Sequence, residues 1–445
     1  QRTMNCVELF CKQVDCKPES IALWVPGRSN RATSFSELYR MAGAIQQQIR
    51  QKGLTPGTSV LLVDNLGPRL FAAIIAIIAS GGIAIIVEPW MPIAKIQKAI
   101  SLVKPQIFIT NLLGKLWGVR IPAIRAIPHS LSIAESIKTK GQSLDLTDLK
   151  PHSSAILTFT SGTTAEPKAV LRTHNSLHCQ YQTLSRALGL EKFHGSDLCV
   201  FANFALANLA AGRTSLLVPQ KWSRRFFRSI DDLPANLKPQ SFSSGPAFLT
   251  EAMKHAKLES LCSVHIGGAL TSCDLFESAF RKWPSAHFLH VYGSTEAEPV
   301  TVSDARIAVA KSRNAQYFHT TFIGRPVPEV EHQIDNGQLL IRGKHVCPKF
   351  GSTTEADTWH AMGDRIETNI ETSTDGWWYL GRNQQSKEDF LLEQKIYRFL
   401  QSDTSFIHRD QRHLIHLIGE GVKTKKREIV ETFPEIRTVT EAKIR

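Results

Sequence analysis

The sequence predicts an α/β protein with a doubly wound, mostly parallel core and helices on both sheet faces, built as a large lobe plus a smaller piece. Three observations carry this. Short apolar runs alternate with helical patterns from about residue 20 to residue 291, the rhythm of parallel strands joined by helical crossovers. Hydrophobic residues are 42% and charged residues 21% of 445, which describes a substantial core and more than one ordinary domain. Several apolar runs end in glycine or hydroxyl residues, the composition expected where an open α/β sheet meets a ligand.

In chain order, residues 6–53 read as an amphipathic helix, a short strand near Ile21–Val25 and a second helix ending near Gly53. Ser34, three residues before Glu37, is a capping-box signature for that second helix. Ser59–Val63 is a strand. Leu70–Val87 is uncharged and long enough to suggest a membrane span. Ser80-Gly81-Gly82 divides it into an alanine-rich helix and a β-branched strand, so the buried α/β reading is favoured. Ile100–Ile109 repeats the helix-to-strand pattern around Pro105, and residues 111–152 carry little pattern.

Ala155–Phe159 is the next strand. Asn175–Ala187 reads as a helix, Leu198–Phe201 as a strand, and Phe204–Gly212 as an apolar helix that suits either a packed core or a pocket wall. Thr214–Val218, Ser263–Ile266 and Phe288–Val291 are strands, with a helix over Ala247–Ala256.

Lysine and arginine exceed aspartate and glutamate by 53 − 40 = 13. The cations are scattered except for Lys423-Thr424-Lys425-Lys426-Arg427, and no nucleic-acid-binding motif accompanies them. A basic surface suited to anionic ligands is expected, without a nucleic-acid partner. Eight cysteines are too dispersed for a disulfide or zinc framework, so a reduced, cytoplasmic protein is expected, with peripheral membrane contact left open. No signal peptide is read in the residues from Gln1 onward.

One stretch organises the chain. After the Ala155–Phe159 strand come Thr160-Ser161-Gly162-Thr163-Thr164-Ala165-Glu166-Pro167-Lys168. Backbone N–H groups, hydroxyls and one ammonium in so short a loop suit a polyphosphate, and equally suit a Ser/Thr-rich surface turn. It is not a Walker A loop, because no Ser or Thr follows the lysine. Two later strands also end in small or hydroxyl residues: Ser263–Ile266 in Gly267-Gly268-Ala269, and Phe288–Val291 in Tyr292-Gly293-Ser294-Thr295-Glu296.

These motifs, with His360-Ala361-Met362-Gly363-Asp364 and Asp375-Gly376-Trp377-Trp378-Tyr379-Leu380-Gly381-Arg382, resemble in order and spacing the signatures of the acyl-adenylate-forming (AMP-dependent synthetase and ligase) superfamily. Val87-Glu88-Pro89-Trp90-Met91 and Gly293–Val300 look nearest to its fatty-acid CoA ligase-like and olefin β-lactone synthetase-like members. The resemblance runs from about residue 15 to Arg382. It implies an adenylate-forming lobe over 1–381 and a small α+β C-terminal domain over 382–445.

It also implies a reaction: ATP-dependent activation of a carboxylic acid, fatty or otherwise hydrophobic, to an acyl-AMP with release of pyrophosphate. The acyl group then passes to CoA, to the phosphopantetheine of an acyl carrier protein, or to an internal hydroxyl. A degenerate member that binds nucleotide or acyl ligand without forming a thioester is the alternative.

By the same resemblance, Thr160, Ser161, Gly162, Thr163, Thr164 and Lys168 hold the β- and γ-phosphates. Thr295 bonds the α-phosphate and Glu296 helps bind Mg²⁺. Tyr292 stacks on adenine beside the backbone of Gly267, Gly268 and Ala269, with Gly293 and Ser294 completing the motif. Asp364 takes the ribose hydroxyls, assisted by Arg382. Lys443 bonds the acid during adenylation, and Phe204 lies in the acyl pocket. His174 is read as a helix-start or packing residue.

Two departures stand out. Ala165 and Ala169 occupy positions where the family has glycine, which predicts a tightened phosphate loop. After Arg382 the family's glycine-containing hairpin is missing: residues 383–418 contain no glycine, and Phe390–Tyr397 reads as a helix, so the C-terminal domain is expected to be shortened.

Overall fold

The computed structural model describes residues 3–26, 32–87, 91–137, 143–160, 168–219, 221–314, 321–347, 359–368 and 376–383, and in the C-terminal stretch 392, 396, 405–409, 415–419, 426–433 and 436–441. The chain divides into two compact units. The first comprises residues 1–221, 295–298 and 342–358; the second comprises 222–294, 299–341 and 359–445.

The first unit is built on a six-stranded sheet ordered His129–Ser132, Ile107–Thr110, Ser59–Val63, Ile83–Ile86, Ser154–Thr160, Lys168–Thr173. All neighbours are parallel except the last pair, which is antiparallel. The uncharged stretch resolves as the sequence suggests, into helix Pro68–Ala79 and strand Ile83–Ile86. Every residue from Phe71 to Ala79 is buried. A helix of 12 residues rises only about 18 Å, well short of a bilayer. Among the described residues no helix is long and apolar enough to cross a membrane.

The capping box forms as read. Ser34 Oγ accepts from the Glu37 N–H at 3.1 Å, and Glu37 Oε2 accepts from the Ser34 N–H at 3.1 Å. Helix Phe35–Gln51 follows, burying Leu38, Ala42, Ile45 and Ile49, spaced three and four apart as an amphipathic helix requires. Beside it Ile21–Trp24 pairs in parallel with Ser215–Leu217, which pairs in parallel with Ser196–Cys199. The poorly patterned 111–152 region contains helices Leu112–Val119, Pro122–Arg125 and Ile133–Ser136 and the sheet's outer strand His129–Ser132. That strand buries only Leu131, so it shows no alternating pattern to read.

In the second unit Pro239–Ser244, Ser263–Ile266 and His287–Ser294 pair in parallel, with helices Pro246–His255 and Cys273–Lys282 between them. A five-stranded sheet follows, ordered Thr321–Gly324, Trp377–Arg382, His360–Glu367, Gln338–Arg342, Glu331–Asp335. The first three of its pairings are antiparallel and broken by register shifts, which is why no even strand pattern marks them in the sequence. Near the C-terminus, Ser405–Arg409 pairs antiparallel with Ile415–Gly419, which pairs in parallel with Ile436–Glu441. Leu392, Ile396, Ile429, Phe433 and Ile436 form a core there. Of the helix expected over Phe390–Tyr397, Leu392 and Ile396 are described, and both are helical; the rest lies outside the described residues.

Candidate active site

In the first unit the antiparallel pairing of Thr160 with Lys168 sets where the hydroxyl-rich loop leaves and re-enters the sheet. Thr160 ends its strand; Ser161, Gly162, Thr163, Thr164 and Ala165 lie outside the described residues. Ala169 is paired with Phe159 in extended strand backbone, so an alanine is no handicap at that position, contrary to the expectation of a tightened loop there.

Residues of a strand that are two and four apart share a face. Lys168 and Arg172 are so related, and both reach the Thr295–Glu298 segment. The Lys168 ammonium forms an ion pair with the Glu296 carboxylate. Lys168 is half-exposed while Glu296 is buried. Arg172, buried, donates from Nη1 to Thr158 Oγ1 at 3.0 Å and from Nη2 to the Thr295 carbonyl at 2.7 Å. The Cys347 N–H donates to the Glu296 carbonyl at 2.7 Å. Two main-chain carbonyls are thus tied down, and Thr295 is left exposed.

Two residues further, Asn203 Nδ2 donates to Glu298 Oε2 at 2.5 Å, and Gln180 Nε2 donates to the Glu298 carbonyl at 3.1 Å. Burial pushes the Glu298 carboxyl up to about 7, against the opposing pull of the Asn203 hydrogen bond and the Arg172 charge. Phe204, next to Asn203, is buried in helix Ala202–Ala211, its ring centroid 6.1 Å from that of Phe201. His174 opens helix His174–Leu188. It accepts the Cys6 N–H on Nδ1 at 3.2 Å, and burial lowers its pKa to about 4. It is a packing residue, as read.

In the second unit a compact polar group forms around Asp364. Tyr292 Oη donates to Asp364 Oδ2 at 2.6 Å, and Arg382 Nη1 lies 3.0 Å from Asp364 Oδ1. Cross-strand pairing places Asp364 opposite Arg382, and Gly363, ahead of Asp364, has φ +76°, a conformation only glycine adopts readily. Burial raises the Asp364 carboxyl above the usual carboxylate range, while the Arg382 charge and the Tyr292 hydroxyl oppose that rise. Burial, then the adjacent Asp364 charge, drives the Tyr292 phenol well above its ordinary value.

The structure corrects the expected setting of this motif. Tyr292, Gly293 and Ser294 lie within strand His287–Ser294, not beyond its end, and only Thr295 and Glu296 form the turn before Ala297–Asp304. Ser294 Oγ lies 3.8 Å from Met362 Sδ. A Cβ at Gly267 would stand 2.5 Å from the Val291 carbonyl oxygen, so the protein's own backbone already excludes a side chain there. Gly268, at φ +78°, turns the chain toward Ala269.

The sequence-selected residues therefore fall into two described groups: Lys168, Thr295 and Glu296 in the first unit, and Tyr292, Asp364 and Arg382 in the second. Lys443 lies outside the described residues. Sequence reasoning missed Arg172, Asn203 and Glu298; the even spacing of Lys168 and Arg172 was the available signal for the first. Among the described residues no group of three His, Cys, Asp or Glu stands ready for a metal. A cavity of about 330 Å³ lined by Arg228, Asp231, Lys238 and Lys257 contains none of the selected residues.

The family model for AMP-binding enzymes matches residues 10–349. A probable CoA ligase of Humulus lupulus is 22% identical over 389 residues, covering 77% of this chain and 69% of its own length. An olefin β-lactone synthetase of Stenotrophomonas maltophilia is 25% identical over 318 residues, covering 65% of this chain; the chain spans 57% of that protein's length. Among solved structures, the anthranilate CoA ligase AuaEII in complex with anthranoyl-AMP superposes with a TM-score of 0.78 at 15% identity. It covers 99% of this chain and 93% of its own.

Proposed function

The chain belongs to the AMP-binding enzyme family, whose members are acyl-adenylate-forming ligases, and from that premise we propose that it activates a carboxylic acid, fatty or otherwise hydrophobic, with ATP. In the proposed step a carboxylate oxygen bonds to the α-phosphorus as the bond to the β-phosphate oxygen breaks. Acyl-AMP and pyrophosphate are the products. Little covalent chemistry falls to the protein, so positioning and charge stabilisation supply the rate.

The observation that carries this reading is the buried Asp364 held between the Tyr292 hydroxyl and the Arg382 guanidinium. An ionised carboxylate only accepts hydrogen bonds, with about four lone-pair sites, and so retains capacity for the two hydroxyls of a ribose. Tyr292 would offer its ring to adenine beside Gly267, Gly268 and Ala269, with Gly293 and Ser294 continuing the same strand. In the first unit Lys168, with Thr160, Ser161, Gly162, Thr163 and Thr164, would bind the β- and γ-phosphates, and the exposed Thr295 hydroxyl would meet the α-phosphate. Lys443 would bond the acid, and Phe204 would contribute to the acyl pocket.

Glu296, beside which no ligand cluster stands among the described residues, suits Mg²⁺, which is held by one or two carboxylates plus phosphate oxygens. When bound, Mg²⁺ supplies neutralisation of phosphate charge. The Lys168–Glu296 ion pair then reads as a resting arrangement of two charges that the nucleotide phosphates and Mg²⁺ would separate.

We assign the adenylating lobe to 1–381 and a small C-terminal domain to 382–445. Because residues 383–418 hold no glycine for a hairpin, transfer to CoA is the step this chain is least equipped for. Transfer to an internal hydroxyl still proceeds through the acyl-AMP and belongs to the first reading; a degenerate member that binds nucleotide or acyl ligand without forming a thioester is the second. Pyrophosphate exchange into ATP, run with Mg²⁺ and a panel of carboxylic acids, tests the first step. Acid-dependent exchange is expected, and its absence with ATP still bound would favour the second reading. Adding CoA then separates the acceptors, since acyl-AMP or lactone without thioester is expected.

A further inference from the structure

We propose that helix Leu112–Val119 is a docking element for an anionic membrane surface, inserting Leu112, Leu116 and Val119 among the lipids. This inference is independent of the reading of the active site. It begins with a helix whose outward stripe is apolar. At 100° per residue, Leu112, Leu116 and Val119 fall on one stripe, and Gly114 and Gly118 fall on the opposite side. The glycine side is buried. A Cβ on Gly118 would stand 2.9 Å from Ile124 Cγ2 and 3.2 Å from Phe108 Cε1, and one on Gly114 would collide with the Thr110 hydroxyl. The leucine side faces out: Leu112, Leu116 and Val119 are 73%, 62% and 61% exposed. Three large apolar side chains turned outward on one stripe are not what covering a core requires.

The charge pattern identifies the occupant. Between Glu88 and Glu135 there is no acidic residue, while Lys95, Lys98, Lys104, Lys115, Arg120 and Arg125 are basic. Lys115 lies at one edge of the apolar stripe and Arg120 follows at the other, both exposed. Of the eight large hydrophobic residues exposed among the described residues, five lie in this same stretch, with Ile93 and Leu102 joining the three on the helix. Apolar side chains that protrude singly, flanked by long cationic stems, fit an interface whose interior is hydrocarbon and whose surface is anionic. Eight residues bury little area, so apolar insertion and cationic attraction must act together, and binding is reversible and salt-sensitive.

The test is co-sedimentation of the full chain with phosphatidylcholine vesicles, with and without about a third phosphatidylglycerol. Wild type is expected to pellet with the anionic vesicles, and at least about fivefold less with neutral ones or at high salt. A Leu112→Ser/Leu116→Ser variant should lose about tenfold or more in partitioning, and so should Lys115→Glu/Arg120→Glu. Circular dichroism should match wild type in both, because these side chains are exposed. Wild type that stays in the supernatant overturns the proposal and leaves this face to an acidic protein partner. Binding undiminished in both folded variants overturns it as well.

Discussion

Tyr292 donates its hydroxyl to Asp364 at 2.6 Å, joining two sequence motifs that lie seventy-two residues apart. A carboxylate as buried as this one is costly unless it is hydrogen-bonded and charge-compensated, and Tyr292 and Arg382 meet those two needs. Removing either partner therefore changes the carboxylate itself, not only a contact. Tyr292→Phe should raise the KM for ATP and lower stability by about 1–3 kcal/mol, the range for a hydrogen bond to a buried charge. Asp364→Ala should depress kcat/KM for ATP by about a hundredfold or more. Pyrophosphate exchange with ATP varied, together with urea denaturation, reads both quantities; an unchanged KM in Asp364→Ala would remove Asp364 from the nucleotide site.

Arg172 spans Thr158 Oγ1 and the Thr295 carbonyl from one buried guanidinium. Arg172→Ala should cost about 1–3 kcal/mol in urea denaturation, since the Thr295 carbonyl and the Thr158 hydroxyl lose their donor together. Arg172→Lys should not restore it, because a single ammonium lacks the planar fork that reaches both acceptors. Recovery of wild-type stability in Arg172→Lys would show that charge alone suffices.

Glu298 makes stability depend on pH in the direction opposite to that of a salt-bridged acid. Its folded pKa is raised from 4.5 to about 7, so the folded state binds more protons between those values and stability falls as pH rises through that window. Above about 7 the effect is flat. Glu298→Gln should remove this slope and gain up to about 3 kcal/mol at alkaline pH. Urea midpoints collected from pH 5 to about 8 would show it, and parallel curves for the two proteins would contradict it.

Two buried histidines act in the opposite sense to Glu298 over much of the same pH window. His174 and His290 both have folded pKa values lowered to about 4 by burial. At these two sites the unfolded chain takes up protons first as pH drops below about 6.5, and their contribution to stability is lost from there toward pH 4. His174→Gln/His290→Gln should shallow that acid limb even if its absolute stability is lower. An acid limb as steep as that of wild type would point to carboxylates instead.

The parallel core was legible because each strand is buried along its length and each helix carries its own punctuation: Ser34 with Glu37 at one helix start, Ser80-Gly81-Gly82 between helix and strand. The antiparallel sheet of residues 321–382 was not, since its register shifts break the two-residue alternation that marks a strand. The same contrast holds at the site. Tyr292, Asp364 and Arg382 announce themselves by sitting in ordered motifs. Glu298 and Asn203 do not, because their significance arises from burial and from a contact across ninety-five residues. At Gly267 the close approach of the Val291 carbonyl, a packing reason for glycine, is visible only in three dimensions.

The central claim is that a carboxylate oxygen attacks the α-phosphorus of ATP, and the fate of that oxygen tests it most directly. With an acid labelled with heavy oxygen in its carboxylate, the acyl-AMP is trapped with hydroxylamine and the released AMP is weighed by mass spectrometry. The account predicts AMP carrying one labelled oxygen, formed together with pyrophosphate. Unlabelled AMP, or ADP with phosphate in place of AMP with pyrophosphate, would contradict it.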